Sequence, residues 1–233
     1  MEAIPGKSSW GVRRLPDNRL WIYGAGGFGR EVYDLAARKN DAKWNEVIFI
    51  DDNCGGRKAF YRTVVMTLEE ALAAYPSEGL EGIVAVGEPA LRELLYNKLR
   101  QAGIRLATLV DKTAVVSNTV RIGAGSIICE YVTLHSGVTV GEDVLIQPYA
   151  GIGHDVEIGN HTILSVYCAP GGGCKFGDRV FVGMQATIKE EISIGNDAII
   201  SMGAAVFRDV PPFSTVVGNP ARTTKGNPEH KIY

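Results

Sequence analysis

From Val110 onward the chain repeats every six residues. Large apolar side chains stand at Val110, Val116, Ile122, Ile128, Leu134, Val140, Ile146, Ile152, Ile158, Leu164, Phe176, Val182, Ile188, Ile194, Ile200 and Val206, with Pro170 the one break in the series. A second column, four residues further along, is mostly small or β-branched and runs through Ala114, Val120, Ser126, Val132 and Val138 to Ala204. A helical period of 3.6 does not fit this spacing. Two inward positions in every six residues fit short strands wound into a narrow coil. Three hexapeptides make an 18-residue coil, so residues 18 apart stack at about 4.8 Å, one strand spacing. Between 110 and 206 the pattern predicts five to six coils of a parallel β-helix, with no inserted loop.

The first third has a different pattern. Three apolar runs, 20–23 (LWIY), 47–50 (VIFI) and 83–86 (IVAV), read as strands. Between them, EVYDLAARKN reads as a helix with Val32, Leu35 and Ala36 on one face, and a second helix runs from about Pro89 to Gln101. Strand–helix alternation implies a small parallel sheet, whose ligands sit at the carboxyl ends of the strands. Those ends are marked by Gly24–Gly29, by Asp51 and Asp52, and by Gly87. The GAGGFG turn opens a helix and presents backbone amides to a phosphate. Asp51 or Asp52 then stands where a ribose hydroxyl would be held. NAD, a nucleotide sugar and a purely structural turn all fit these features, and the unit is short for a full dinucleotide fold. The expected organisation is an extension over 1–19, a Rossmann-like α/β domain over 20–105, an all-β helix over 106–222 and a tail over 223–233.

Charge narrows the classes. With 24 Lys+Arg against 26 Asp+Glu, the net charge of −2 leaves no footprint for nucleic acid or a lipid surface. No apolar stretch is long enough to span a membrane, and MEAIPGKSSWGVRRLPDNRL lacks the apolar core of a secretion signal. Cys54, Cys129, Cys168 and Cys174 form no CxxC pair, so a reducing cytoplasm is the expected location. Glycine is over-represented at 28 residues, and many of these directly follow the large apolar residue of a hexapeptide.

Candidate chemistry centres on His154. It lies two residues past inward Ile152 and should point out of the coil, with Asp155 beside it to orient the ring. Its 18-residue column reads Ser136, His154, Gly172, Glu190. Gly172 therefore stacks one coil along, without a side chain to obstruct a ligand. A base beside an uncrowded amide suits attack on a carbonyl. His135 has no acidic neighbour, His161 could assist a site, and His230 falls in the tail. Cys168 and Cys174 occupy the small inward column and read as core. No residue set has metal-ligand spacing.

In order along the chain, IYGAGGFGREV, FIDDN, AVGEPALR, GIGHDVEIG and VVGNPAR resemble one family. They are similar to the bacterial sugar O/N-acyltransferases of the hexapeptide-repeat class, whose members acetylate UDP-4-amino sugars, perosamine or sialic acid. The period alone does not fix the hand of the coil, and the usual crossover rule would make it right-handed. The resemblance implies a left-handed β-helix. It also implies a homotrimer, acetyl-CoA in the groove between adjacent β-helices, and a nucleotide sugar on the N-terminal domain. The catalytic pair of the family falls on His154 and Asp155. Its nucleotide-sugar contacts fall on Gly26, Gly27, Phe28, Asp51, Asp52 and Gly87, with Phe28 replacing a common His. Its acetyl-CoA contacts fall on Gly172, Met184 and Met202, and on position 163, where Ile163 replaces a His.

The activity this implies is acetyl transfer from acetyl-CoA to a nucleotide-linked amino sugar for surface glycan synthesis. The amine attacks directly and His154 is the base. O-acetylation of a sialic-acid type of acceptor is the alternative. An NAD(P)-dependent oxidoreductase and a non-catalytic sugar-binding scaffold are the competing classes.

Overall fold

The computed structural model describes residues 18–39, 43–75 and 79–226. Most of the expected N-terminal extension, and His230 in the tail, lie outside the described residues.

The first domain runs β1 (Arg19–Tyr23), α1 (Gly27–Lys39), β2 (Glu46–Ile50), β3 (Lys58–Phe60), β4 (Thr63–Met66), α2 (Leu68–Ala74), β5 (Leu80–Val84), α3 (Pro89–Gln101) and β6 (Arg105–Leu106). Its sheet order is β3-β4-β2-β1-β5-β6, parallel except for β3. The three strands and two helices expected from the sequence are present. The structure adds β3, β4, α2 and β6. Helix α2 is held by a capping box, in which Thr67 and Glu70 satisfy each other's backbone N–H groups. Strand β5 ends two residues before the apolar run does, and the carbonyls of Val84 and Val86 accept from Arg92.

The second domain is a left-handed parallel β-helix. Seventeen two-residue strands, from Leu109–Val110 to Ala205–Val206, make five complete coils and two sides of a sixth. Both inward columns pack into one continuous core along the coil axis, buried throughout except in the first coil, where Val110, Ala114, Val116, Val120 and Ile122 are partly buried. The strands form a triangular prism. Face one carries Leu109–Val110 and its repeats, face two Val115–Val116, and face three Arg121–Ile122. Pro170 sits on face two. It has no N–H to return a ladder bond, and the strands there divide into two three-stranded groups. Glycine after the apolar residue has a steric cause: a Cβ on Gly183 would stand 2.5 Å from the Met202 nitrogen in the next coil. The corners turn through residues with positive φ, among them Tyr131, Asp143, Asp155 and His161.

Face one is not open to solvent along its whole length. Leu109, Ile127, Leu145 and Ile163 point outward from it yet are buried, because they pack against Leu20, Ile22 and Ile83 of the sheet and Val32 and Leu35 of α1. The first domain thus sits on face one and leaves its far end uncovered.

Candidate functional site

The prism has three edges, and each gathers different chemistry. The edge between faces two and three carries His154. The ring is 69% exposed, and its Nδ1 lies 2.9 Å from Asp155 Oδ2. Asp155 itself leans over Gly137 of the preceding coil. With Nδ1–H donating to the carboxylate, Nε2 is left as the basic nitrogen. Gly172 lies directly beneath: a Cβ built there would fall 2.5 Å from Nε2 and 2.7 Å from Cε1. The ring rests on the Gly172 backbone in the space that a side chain there would fill. His154, Asp155 and Gly172 therefore form one cluster, as the 18-residue column led one to expect.

The edge between faces one and two carries Met184 and Met202, both exposed. With Ile163, Phe181 and Ile199 on face one and Gly87 from the first domain, they line a groove of about 390 Å³. Ile163 is buried in its floor. Gln147, Ser165 and Ser201 supply polar groups along the wall in one 18-residue column, in which Gly183 stands between the two serines. An apolar floor with amide and hydroxyl groups at coil spacing suits an extended chain with alternating methylene and amide segments. Gly172 was grouped with Met184 and Met202 by resemblance. In the chain it lies on the neighbouring edge, with His154.

Further along the edge that carries the methionines, Tyr131, Tyr149 and Tyr167 stack with ring centroids 5.0 and 4.8 Å apart. All three are about half exposed.

At the carboxyl edge of the sheet, chain order reverses between β1 and β5, the position where α/β sheets open a crevice. Gly26, Gly27 and Gly87 are exposed around it, and no atom lies within 4 Å of a Cβ placed on Gly26 or Gly87. Gly24 and Gly29 have the opposite role. A Cβ on Gly24 would meet Ala85 O at 2.6 Å, and one on Gly29 would collide with Gly24 O, so these two close the turn. Phe28 is half-buried against the core shared with the β-helix. The two acidic residues differ. Asp51 Oδ1 accepts from Asn53 N–H. Asp52 accepts from Tyr23 Oη, Lys98 Nζ and Leu68 N–H. Burial alone would raise the Asp52 carboxyl, but those bonds outweigh it and hold it below the usual range. Asp51 is the freer of the two to meet a hydroxyl.

The third edge is where α3 docks. Arg92, fully buried, bonds to Asp143, and Asp143 Oδ2 lies 2.9 Å from His161 Nδ1. His161 belongs to this contact and lies on a different edge from His154. Arg179 joins Glu93 of α3 to Asp197. Sequence reading missed this edge. Its signal was a charged column at 18-residue spacing: Asp143, His161, Arg179, Asp197. Three of the cysteines are poor nucleophiles: burial pushes the Cys129 and Cys168 thiols up to about 12 and raises that of Cys174. Among the described residues no His, Cys, Asp and Glu side chains gather as a metal site, and no helix is long and apolar enough to cross a membrane.

Comparison with known proteins agrees with both halves. Residues 19–99 match the PglD N-terminal domain, 137–168 the bacterial transferase hexapeptide repeat, and 175–208 the hexapeptide repeat of succinyl-transferase. A GDP-perosamine N-acetyltransferase of Escherichia coli O157:H7 is 30% identical over 127 residues, which are 53% of this chain and 57% of that protein. The match thus spans little more than half of that relative. The acetyltransferase domain of PglB from Neisseria gonorrhoeae superposes with a TM-score of 0.83 at 26% identity, over 89% of this chain and 100% of that one. WeeI from Acinetobacter baumannii gives 0.82 at 29% identity, over 88% and 99%. PerB from Caulobacter crescentus, solved with CoA and GDP-perosamine, gives 0.80 at 27% identity, over 89% and 98%. With a PglD-type first domain, hexapeptide coils and these neighbours along nearly its whole described length, the chain belongs to the hexapeptide-repeat sugar acyltransferases.

Proposed function

We propose that the protein transfers an acetyl group from acetyl-CoA to the amine of a nucleotide-linked amino sugar. The observation that carries this reading is the exposed His154–Asp155 pair seated on Gly172. Support comes from a relative solved with CoA and GDP-perosamine and another solved with acetyl-CoA.

In this reading the sugar nucleotide lies over Gly26, Gly27 and Gly87, with Asp51 toward a ribose hydroxyl. The pantetheine arm lies on Met184 and Met202 above Ile163. The amine nitrogen attacks the thioester carbonyl. His154 Nε2 takes the proton the amine loses, and Asp155 stabilises the imidazolium. The Gly172 amide donates to no group of the described residues, which leaves it available to the oxyanion. The C–N bond forms, the C–S bond breaks, and the His154 proton passes to the departing thiolate. The products are an N-acetyl sugar and CoA. No acyl-enzyme is needed.

His154 and the methionine groove occupy different edges of one prism. A thioester in the groove of one chain then meets the imidazole of a neighbour, and threefold closure completes every site. The exposed tyrosine stack is consistent with such a contact.

The test is incubation with acetyl-CoA and a panel of UDP-, dTDP- and GDP-amino sugars. The expected result is a mass gain of one acetyl group with stoichiometric thiol release, lowered roughly 10²–10⁴-fold in His154→Ala. Absence of acetylation across the panel, or full activity in His154→Ala, would refute the reading. Light scattering should give three times the monomer mass.

A further inference from the structure

The two half-sites proposed above lie on different domains, so something must hold Gly87 in register with the groove. We propose that Arg92 does this, as a positioning residue that couples the end of β5 to the β-helix. The proposal rests on the acetyltransferase reading.

Arg92 lies on α3 and is fully buried. Its guanidinium has five N–H groups, and all five find acceptors. Nη1 donates to Val84 O at 3.2 Å and Val86 O at 3.0 Å, the carbonyls that lead into Gly87. Nε and Nη2 donate to Asp143 O at 3.1 and 3.0 Å, and Nη2 also donates to Asp143 Oδ1 at 2.5 Å. One planar group therefore spans a strand end in one domain and a coil corner in the other. Around it, Tyr96 meets the His161 ring edge-on at 5.2 Å and donates to Glu142. Gly125 makes room for Tyr96: a Cβ there would stand 2.9 Å from its ring.

Domain adhesion alone does not call for this. Face one already buries Leu109, Ile127, Leu145 and Ile163 under the sheet. A buried ion pair is often no more stabilising than apolar residues of equal volume. What the guanidinium adds is direction. It fixes the carbonyl of Val84, the last residue of β5, and that of Val86 just beyond it, and with them the loop that places Gly87 at the groove. Misplacement of about 1 Å can cost about 10²-fold in rate.

The test removes both charges at once, as Arg92→Met with Asp143→Asn. Asn tolerates the positive φ of Asp143 and keeps a carbonyl for His161. The expected protein is folded and assembled like wild type. Its kcat should be lowered about 10-fold or more, with the KM for acetyl-CoA changed less than about threefold. Amide exchange over residues 85–88 should be faster by about 10-fold or more. A folded double variant with wild-type kcat and unchanged exchange at 85–88 would overturn the proposal. Arg92→Lys provides the same reading if the double variant does not fold, since a single ammonium cannot span both sides. Wild-type kcat and exchange in that variant would equally refute the role. Failure of wild-type turnover would count against the proposed activity alone. The exchange measurement would still decide the role of Arg92.

Discussion

Gly172→Ala separates chemistry from fold more cleanly than removal of His154 does. The added methyl would stand 2.5 Å from His154 Nε2, 2.7 Å from Cε1 and 3.0 Å from Cδ2. Ordinary carbon contact begins near ~3.5 Å, so the ring must retreat by about 1 Å. It can do so, because it is 69% exposed and is not part of the core. The backbone at Gly172 does not require glycine for its φ, as no left-handed torsion is recorded there. The stability cost should therefore stay within about 0.5 kcal/mol, as for a surface substitution. Catalysis should suffer far more. A base displaced by about 1 Å loses on the order of 10²-fold in kcat. The assay is thiol release from acetyl-CoA with an amino-sugar acceptor, alongside thermal unfolding. Adding Gly172→Ala to His154→Ala should cost nothing further, because both act through the same imidazole. Gly172→Ala with activity within about threefold of wild type, or an additive loss in the double variant, would show that the ring is not the base.

Three other outcomes follow from the structure. Ile152 is fully buried in the coil core, so Ile152→Ala should cost about 2–5 kcal/mol in denaturant unfolding without altering the exposed edge beside it. A thiol reagent at pH 8 should label Cys54 promptly and leave Cys129, Cys168 and Cys174 protected until denaturant is added, since those three are buried. Prompt labelling of two or more cysteines would contradict the packing. Asp52 is held below the usual carboxylate range by Lys98, Tyr23 and Leu68 despite partial burial. Its contribution is therefore intact above the ordinary carboxylate value near ~4 and is lost as pH falls through the lower folded value. Asp52→Asn should flatten the acid limb of the unfolding curve, and an unchanged limb would remove Asp52 from that role.

What the sequence determined here was everything periodic. A six-residue repeat admits one way of burying two residues in six, so the coil count and the inward columns could be read from spacing. So could the stacking of His154 on Gly172, because an 18-residue step returns to the same edge. The first domain was legible where apolar runs met glycine turns, but its short elements over 58–74 were not. Strand β3 is three residues long and largely exposed at the sheet edge, and β4 buries only Val65 and Met66, so little in their pattern sets them apart from a loop. The covering of face one had a signal that was passed over: Leu109, Ile127, Leu145, Ile163, Phe181 and Ile199 are apolar although they point outward. The remainder was decided by tertiary structure. Which domain sits on that face, why Gly87 reaches the methionine groove, and why Asp143 and His161 serve a buried arginine depend on contacts between residues such as Arg92 and Asp143, 51 positions apart. No local period records such contacts, because their energy comes from the complementarity of two finished surfaces.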